Sequence, residues 1–180
     1  MIEQIKSPRF IVLTLLVIAA ACTRALPLFI PHIWNFTAVY ALAIFAGSQF
    51  EDKRIALVMP LAAMGLSDLF IPGNGFNLAV YAGFIAIVMC GMAIKNHITI
   101  TNVALASIAG AILFFLITNF AFLYPVTEYP HNIEGIITSY IMGLPFLRNA
   151  LIADIIYTPI LFGAFYYLEK RYPALVVIRK

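Results

Sequence analysis

Apolar residues run along this chain in long, nearly unbroken stretches, and polar residues gather in short clusters between them. A helix needs roughly 20 mainly apolar residues to cross a bilayer, with every backbone group satisfied inside the segment because hydrocarbon offers no partner. Six stretches meet that description: Arg9 to Leu26, Trp34 to Phe50, Arg54 to Ile71, Phe76 to Lys95, Thr101 to Leu123 and Phe146 to Leu168. Helix breakers separate them, at Pro27 through Pro31, at Pro72-Gly73-Asn74-Gly75, at Asn96 with His97, and from Pro125 to Pro130. Between the fifth and sixth, His131 to Gly143 reads as a weakly amphipathic helix with Ile133, Ile136, Ile137, Tyr140 and Ile141 on one side. It is too short to cross, and is expected to lie at the outer interface or fold back over the bundle, closed by Gly143 and Pro145. The pattern predicts an all-α membrane protein, a six-transmembrane-helix bundle with a short interfacial helix between helices five and six. Residues 1–180 form a single integral membrane domain in this reading.

Composition sharpens the picture. Of the 180 residues, 63% are apolar and 11% are charged, against about a quarter charged in a soluble domain. Too few charges remain to cover an apolar core in water, so lipid is the expected outer solvent. The net charge of +3 does not indicate nucleic acid, because no basic run interleaves with aromatic residues. Cys22 and Cys90 lie inside apolar runs, which supports neither a disulfide framework nor a zinc spacing. The first run reads as a retained helix rather than a cleaved signal, since Arg24 interrupts its end and no small-residue cleavage site follows.

Lysine and arginine set the direction of the spans, because cytoplasmic loops hold an excess of them. Lys6, Arg9, Lys53, Arg54, Lys95, Lys170, Arg171, Arg179 and Lys180 all fall on one side. Arg24 and Arg148 are the two on the other, and both belong to helix ends. The N- and C-termini are therefore expected in the cytoplasm, in a multi-pass protein of the cell inner membrane.

Four charges lie within the apolar segments: Arg24, Asp68, Arg148 and Asp154. Each costs about 2.5–3.5 kcal/mol on insertion scales, so each calls for a partner or a task. The topology puts all four in the outer half, with Asp154 about 9 Å deeper than Arg148 at 1.5 Å per residue. Ion pairing across the bundle is expected, with Arg24 to Asp68 as the first pair. Such pairs either lock helices together or border a site, and a single pair does not decide between them. Asn35, Asn77, Asn119 and Asn149 sit near the same outer ends, as do Thr118, Tyr157 and Trp34. A few fixed polar groups in apolar and aromatic walls are what a small-molecule pocket requires. Loop one, Pro27 to Trp34, is apolar and stiffened by two prolines, which suits either a lid over that pocket or an interfacial anchor. Pro60 and Pro159 bend two of the spans. Small residues at Ala19 to Ala21, Ala43 with Gly47, Ala106 with Gly110 and Ser107 with Ala111 fit close packing within the chain or docking to another membrane protein.

Several chemistries lack their signatures. There is no Walker-type phosphate loop and no His-Glu-x-x-His, and His32, His97 and His131 are scattered over loops on both sides. No serine nucleophile with a nearby base stands out, and no segment repeats clearly enough to suggest an inverted-repeat transporter. Neither a metal nor another cofactor is expected, and no enzymatic activity.

The segments Asn35-Phe36-Thr37-Ala38-Val39-Tyr40-Ala41-Leu42-Ala43, Leu66-Ser67-Asp68, Phe115-Leu116-Ile117-Thr118-Asn119-Phe120 and Leu144-Pro145-Phe146-Leu147-Arg148-Asn149, followed by Asp154, resemble a family of uncharacterised small bacterial membrane proteins. That family is in turn distantly similar to the substrate-binding S components of energy-coupling factor vitamin transporters. The resemblance implies six helices, cytoplasmic ends, a substrate site near the outer face, and a transmembrane coupling protein with two ATPase subunits as partners. The Ala-x-x-x-Ala pattern common in the first helix of S components has one counterpart here, Ala21 to Ala25, towards the outer end. Cobalamin or a related compound is one substrate in view, with Cys22 and the outer histidines as cobalt ligands, although a buried structural cysteine accounts for Cys22 as well.

These readings converge on a substrate-binding membrane subunit for a vitamin or related micronutrient. Its expected site comprises Arg24, Trp34, Asn35, Asp68, Asn77, Asn119, Arg148, Asn149, Asp154 and Tyr157. The alternatives are a structural or assembly membrane protein without a ligand, and an intramembrane enzyme using Asp154 with a neighbouring hydroxyl or carboxylate.

Overall fold

The structure, a computed structural model, describes residues 7–25, 29–30, 35–71 and 77–176. Among them it contains six α-helices and no strand: α1 (Pro8–Cys22), α2 (Val39–Gln49), α3 (Lys53–Phe70), α4 (Leu78–Ala93), α5 (Ile100–Thr118) and α6 (Ile133–Arg171). Short 3-10 turns follow α1 at Thr23–Ala25, α5 at Ala121–Leu123 and α6 at Pro173–Leu175.

Local chemistry fixes where five of the six helices begin. The first N–H groups of a helix have no partner within it, and a side-chain oxygen just before the helix supplies one. Ser7 accepts from Phe10 N ahead of α1, Asp52 from Arg54 N ahead of α3, Asn77 from Ala79 N and Val80 N ahead of α4, Thr99 from Asn102 N ahead of α5, and Asn132 from Gly135 N ahead of α6. Helix α2 differs. Ala38 precedes it and has no side-chain oxygen to offer.

That helix is also the centre of the bundle. Every residue of α2 is buried, and it touches each of the other five helices. Its closest neighbour is α4. A Cβ added to Gly47 would lie 2.9 Å from the backbone N of Met92, and one added to Gly91 would lie 2.9 Å from Ile44 Cα. The small residues expected in spans two and five therefore serve packing inside the chain: Gly110 meets Ile87 and Ile44, and Ala106, Ser107 and Ala111 are buried. Phe45 fills the space between α2 and α6, edge-on to Phe162 and Phe165 at 5.3 and 5.5 Å.

The outer surface is apolar as well. Ile11, Leu15 and Ile18 on α1, Val58 and Leu66 on α3, Leu105 and Ile108 on α5, and Ile155 and Ile160 on α6 are exposed, an area too large for a monomer in water. Three helical segments are long and apolar enough to cross a membrane: Pro8–Ala25, Ile100–Thr118 and Ile133–Arg171. Helices α2 and α4 are apolar but shorter, and α3 carries Lys53, Arg54 and Asp68. The expected count of six spans by length and composition is thus reduced to three. Span two is shortened to 11 residues: Asn35 adopts a φ of 60°, a left-handed conformation that no continuing helix accepts, and residues 36–38 are irregular, bend and turn before the helix begins at Val39.

The separate interfacial helix expected at His131 to Gly143 is not found. Helix α6 runs unbroken for 39 residues through both Pro145 and Pro159. At 1.5 Å per residue it is about 58 Å long. Gly143 explains the continuity, since it seats directly against the side chain of Asn119 at the end of α5. The segment is held on the bundle by that contact and by the Tyr140 hydroxyl, which donates to Leu116 O at 2.9 Å. A proline within a packed membrane helix is tolerated where neighbours hold the chain.

One end of the bundle is closed by Arg9, for which the sequence suggested only a topological role. Arg9 is 6% exposed. Its guanidinium pairs with Glu169 at 2.5 Å, donates to Gln49 Oε1 at 3.0 Å and to the Leu175 carbonyl, and lies 4.8 Å from the centre of the Phe165 ring. The start of α1, the end of α2 and the end of α6 meet there.

Candidate functional site

At the opposite end, the pairing expected between Arg24 and Asp68 is present. Arg24 follows α1 in its 3-10 turn and Asp68 ends α3, so both helices deliver a charge to the same level. Arg24 Nη2 lies 2.6 Å from Asp68 Oδ1, and the two side chains are 13% and 12% exposed. Arg24 Nη1 donates to Met64 O at 2.9 Å and to the Ser67 hydroxyl. The second carboxylate oxygen of Asp68 accepts from the Tyr81 hydroxyl on α4 at 2.8 Å. Close by, Thr23 Oγ1 accepts from Ala38 N at 2.8 Å and so ties the end of α1 to the approach of α2. Each charge has its partner, and four segments are tied by the arrangement. Its chemistry is that of a clamp.

Asp154 is different. It lies in the middle of α6, 4% exposed, and among the described residues neither carboxylate oxygen has a hydrogen-bond partner. Thr158, one turn further along the same helix, is 7% exposed, and its hydroxyl is likewise unpartnered. Several buried hydroxyls in this protein bond back to a carbonyl of the preceding turn, as Thr118 does to Phe114 and Ser139 to Ile136, while Ser107, like Thr158, has none. Thr158 does not take this common option. Facing the carboxylate is the first turn of α2, the one helix start without a side-chain cap. The Ala41 backbone N–H is directed at Asp154 without reaching hydrogen-bond geometry, and Tyr40 lies within electrostatic range of it. Orphan N–H groups and the helix dipole make this turn the electropositive end of α2. Two aromatic pairs join the start of α2 and its approach to α5 and α6: Tyr40 against Phe114 at 4.8 Å, and Phe36 against Tyr157 at 5.9 Å.

The remaining expected site residues do not join these two. The four intramembrane charges do not form two pairs: Arg148 is exposed and its closest polar contact is Asn149 Oδ1 at 3.5 Å. Asn77 is exposed and caps α4, and Asn35 is an exposed turn residue. Asn119 ends α5, its amide bonded to Phe115 O at 2.9 Å and its oxygen against Gly143. Tyr157 alone among the aromatic and amide candidates belongs to the surroundings of Asp154. Trp34, and the loop expected to act as a lid apart from the exposed Phe29 and Ile30, lie outside the described residues. So does His32. His131 stacks on Phe122 at 4.6 Å and contacts Tyr124 O at 3.0 Å. Among the described residues no three histidine, cysteine or acidic side chains converge on a common point. Sequence reasoning missed Thr158, Tyr40 and the bare start of α2. Position supplied a signal for Thr158, four residues after Asp154 and hence on the same helical face.

No curated protein and no solved structure shows significant similarity to the chain. One family matches over residues 4–175, nearly the whole length, and it is described as a family of unknown function. The resemblance to an uncharacterised family is thereby borne out, without a link to S components. The chain belongs to the family of unknown function DUF6580.

Proposed function

We propose that this protein is a substrate-binding membrane subunit that takes up a vitamin or related micronutrient, with Asp154 as the polar anchor of its site. The single observation that carries this reading is the buried, unpartnered carboxylate. A buried charge is stable only when paired or neutralised, and an apolar segment retains one at a cost unless it has a task. A ligand that brings a cationic or hydrogen-bond-donating group would satisfy Asp154 and Thr158 together, while Tyr157 and Phe36 form an apolar wall. Arg24 and Asp68 hold the helix ends around the approach to the site.

Six crossings with both ends in the cytoplasm of the inner membrane go with this proposal. Support comes from the gathering of Arg9, Gln49 and Glu169 at one end and of Arg24, Asp68 and Tyr81 at the other. The first group lies on the side that the lysines and arginines mark as cytoplasmic. A transmembrane coupling protein and two ATPases would supply the energy, and cobalamin or a related compound remains among the candidate substrates.

Mass spectrometry of small molecules retained by gently purified protein tests the reading. A compound held by the native chain and lost from Asp154→Asn is expected. Equal retention by both proteins, or no compound in either when purified from cells fed complete medium, overturns it. A purely structural or assembly role is favoured by the Arg24, Asp68 and Tyr81 clamp, whose groups satisfy one another without a ligand.

A further inference from the structure

Between Glu134 and Glu169, helix α6 carries two charges, Arg148 and Asp154, and the fold treats them oppositely. Six residues apart, they point about 120° away from each other around the axis at 3.6 residues per turn. Asp154 turns into the bundle and Arg148 turns out of it, exposed, with one long contact to Asn149. Arg148 borders an open depression of about 510 Å³ whose other walls are Ile141, Leu144, Pro145, Leu147 and Leu151. Each is apolar, and the depression opens onto the apolar exterior of α6, where Ile137 and Ile152 are also exposed.

The placement of the arginine matters. Side chains on a helix tend to cover the preceding turn, and Arg148 shares the wall of this depression with Leu144 and Pro145, one turn earlier on α6. Gly143 and Tyr140, on the same stretch, pack on the closing residues of α5. Arg148 thus sets an exposed guanidinium at the rim of an apolar groove on α6. A planar guanidinium matches a phosphate in bidentate fashion, and an apolar furrow beneath it matches an acyl chain.

From this we infer that the α6 groove is a binding site for an anionic phospholipid, its phosphodiester on Arg148 and an acyl chain along Ile141, Leu144 and Leu151. An acidic side chain of another membrane protein would satisfy the charge but not the long apolar furrow. The inference requires that the chain lie in a bilayer, yet it is independent of any ligand at Asp154.

Full-length protein purified in mild detergent with phosphatidylglycerol and phosphatidylcholine in equal amounts provides the test, read by native mass spectrometry. The native chain is expected to retain phosphatidylglycerol preferentially. Arg148→Gln should lower that retention about fivefold, the weight of one basic side chain at an anionic surface, with phosphatidylcholine unchanged. Leu144→Trp, which fills the furrow and keeps the charge, should lower both lipids. Arg148 is exposed, so a melting temperature close to that of the native chain will accompany the first change. Equal retention of phosphatidylglycerol by the native chain and Arg148→Gln overturns the inference. Displacement of the lipid by inorganic phosphate alone also overturns it, since the site would then be one for a free anion. Retention of a small molecule dependent on Asp154 should be the same in Arg148→Gln and Leu144→Trp as in the native chain, which separates this result from the proposed function.

Discussion

Asp68 and Asp154 are carboxylates of the same kind set into apolar helices, and the fold provides for them in opposite ways. Asp68 receives one donor at each oxygen, from Arg24 on one neighbouring segment and from Tyr81 on another. Asp154 is more deeply buried and receives none among the described residues. The difference separates two uses of a buried charge. Where donors from several helices converge on a carboxylate, its energy is spent on holding those helices in place. A carboxylate left open keeps its bonding capacity for something that arrives later, and its cost must be met by the rest of the structure.

Removing one member of the satisfied set should have the largest effect on stability. Asp68→Ala leaves the Arg24 guanidinium buried without its counter-ion, a loss of about 3–5 kcal/mol for a broken buried pair. Thermal unfolding in detergent should show a large fall in melting temperature or no folded protein at all. Tyr81→Phe deletes one bond to a charged acceptor and should cost about 1.5 kcal/mol, the lower part of the range for such bonds because Tyr81 is half-buried. Replacing both ions at once, with Arg24→Met and Asp68→Leu, should bring stability back to within about 1 kcal/mol of the native chain, since paired burial gains little over well-packed apolar side chains. If the double variant were as unstable as Asp68→Ala, the clamp would owe its strength to the surrounding hydrogen bonds rather than to the pair.

How much of this contrast was legible beforehand follows from the kind of information each part needs. The Arg24 and Asp68 pair is legible because counting spans puts both residues at the same end of the bundle. Arg9 was not, because its acid, Glu169, lies at the other end of the chain and no spacing connects the two. The positive-inside pattern also gave Arg9 a sufficient role without one. The truncation of α2 was hidden for a similar reason: hydropathy continues smoothly from Trp34 to Phe50, while the break lies in the backbone of residues 35–38, with Asn35 left-handed. Helix α6 misled in the other direction. Gly143 and Pro145 read as a stop, yet the glycine is there to let Asn119 approach. Asp154 was visible as an anomaly, but its isolation depends on where Arg148 points, and a depth estimate contains no azimuth. Applying 3.6 residues per turn to the six-residue spacing would have separated the two.

The smallest expected effect on stability is also the most discriminating. Asp154→Asn keeps the shape of the side chain and removes its charge, so a group without partners loses nothing it was using. Melting temperature should stay level or rise slightly, because an amide is less costly to bury than a carboxylate. Thr158→Val, similar in volume and without the hydroxyl, should behave in the same way. A clear fall in stability with either variant would mean that Asp154 acts like Asp68, as a tie to the first turn of α2, whose Ala41 N–H faces it. The helix dipole makes that competing outcome concrete, since a negative group at an uncapped helix start contributes about 0.3–1 kcal/mol, and more when partly buried. A level melting curve together with loss of the retained small molecule would instead identify a carboxylate that the fold carries for a ligand.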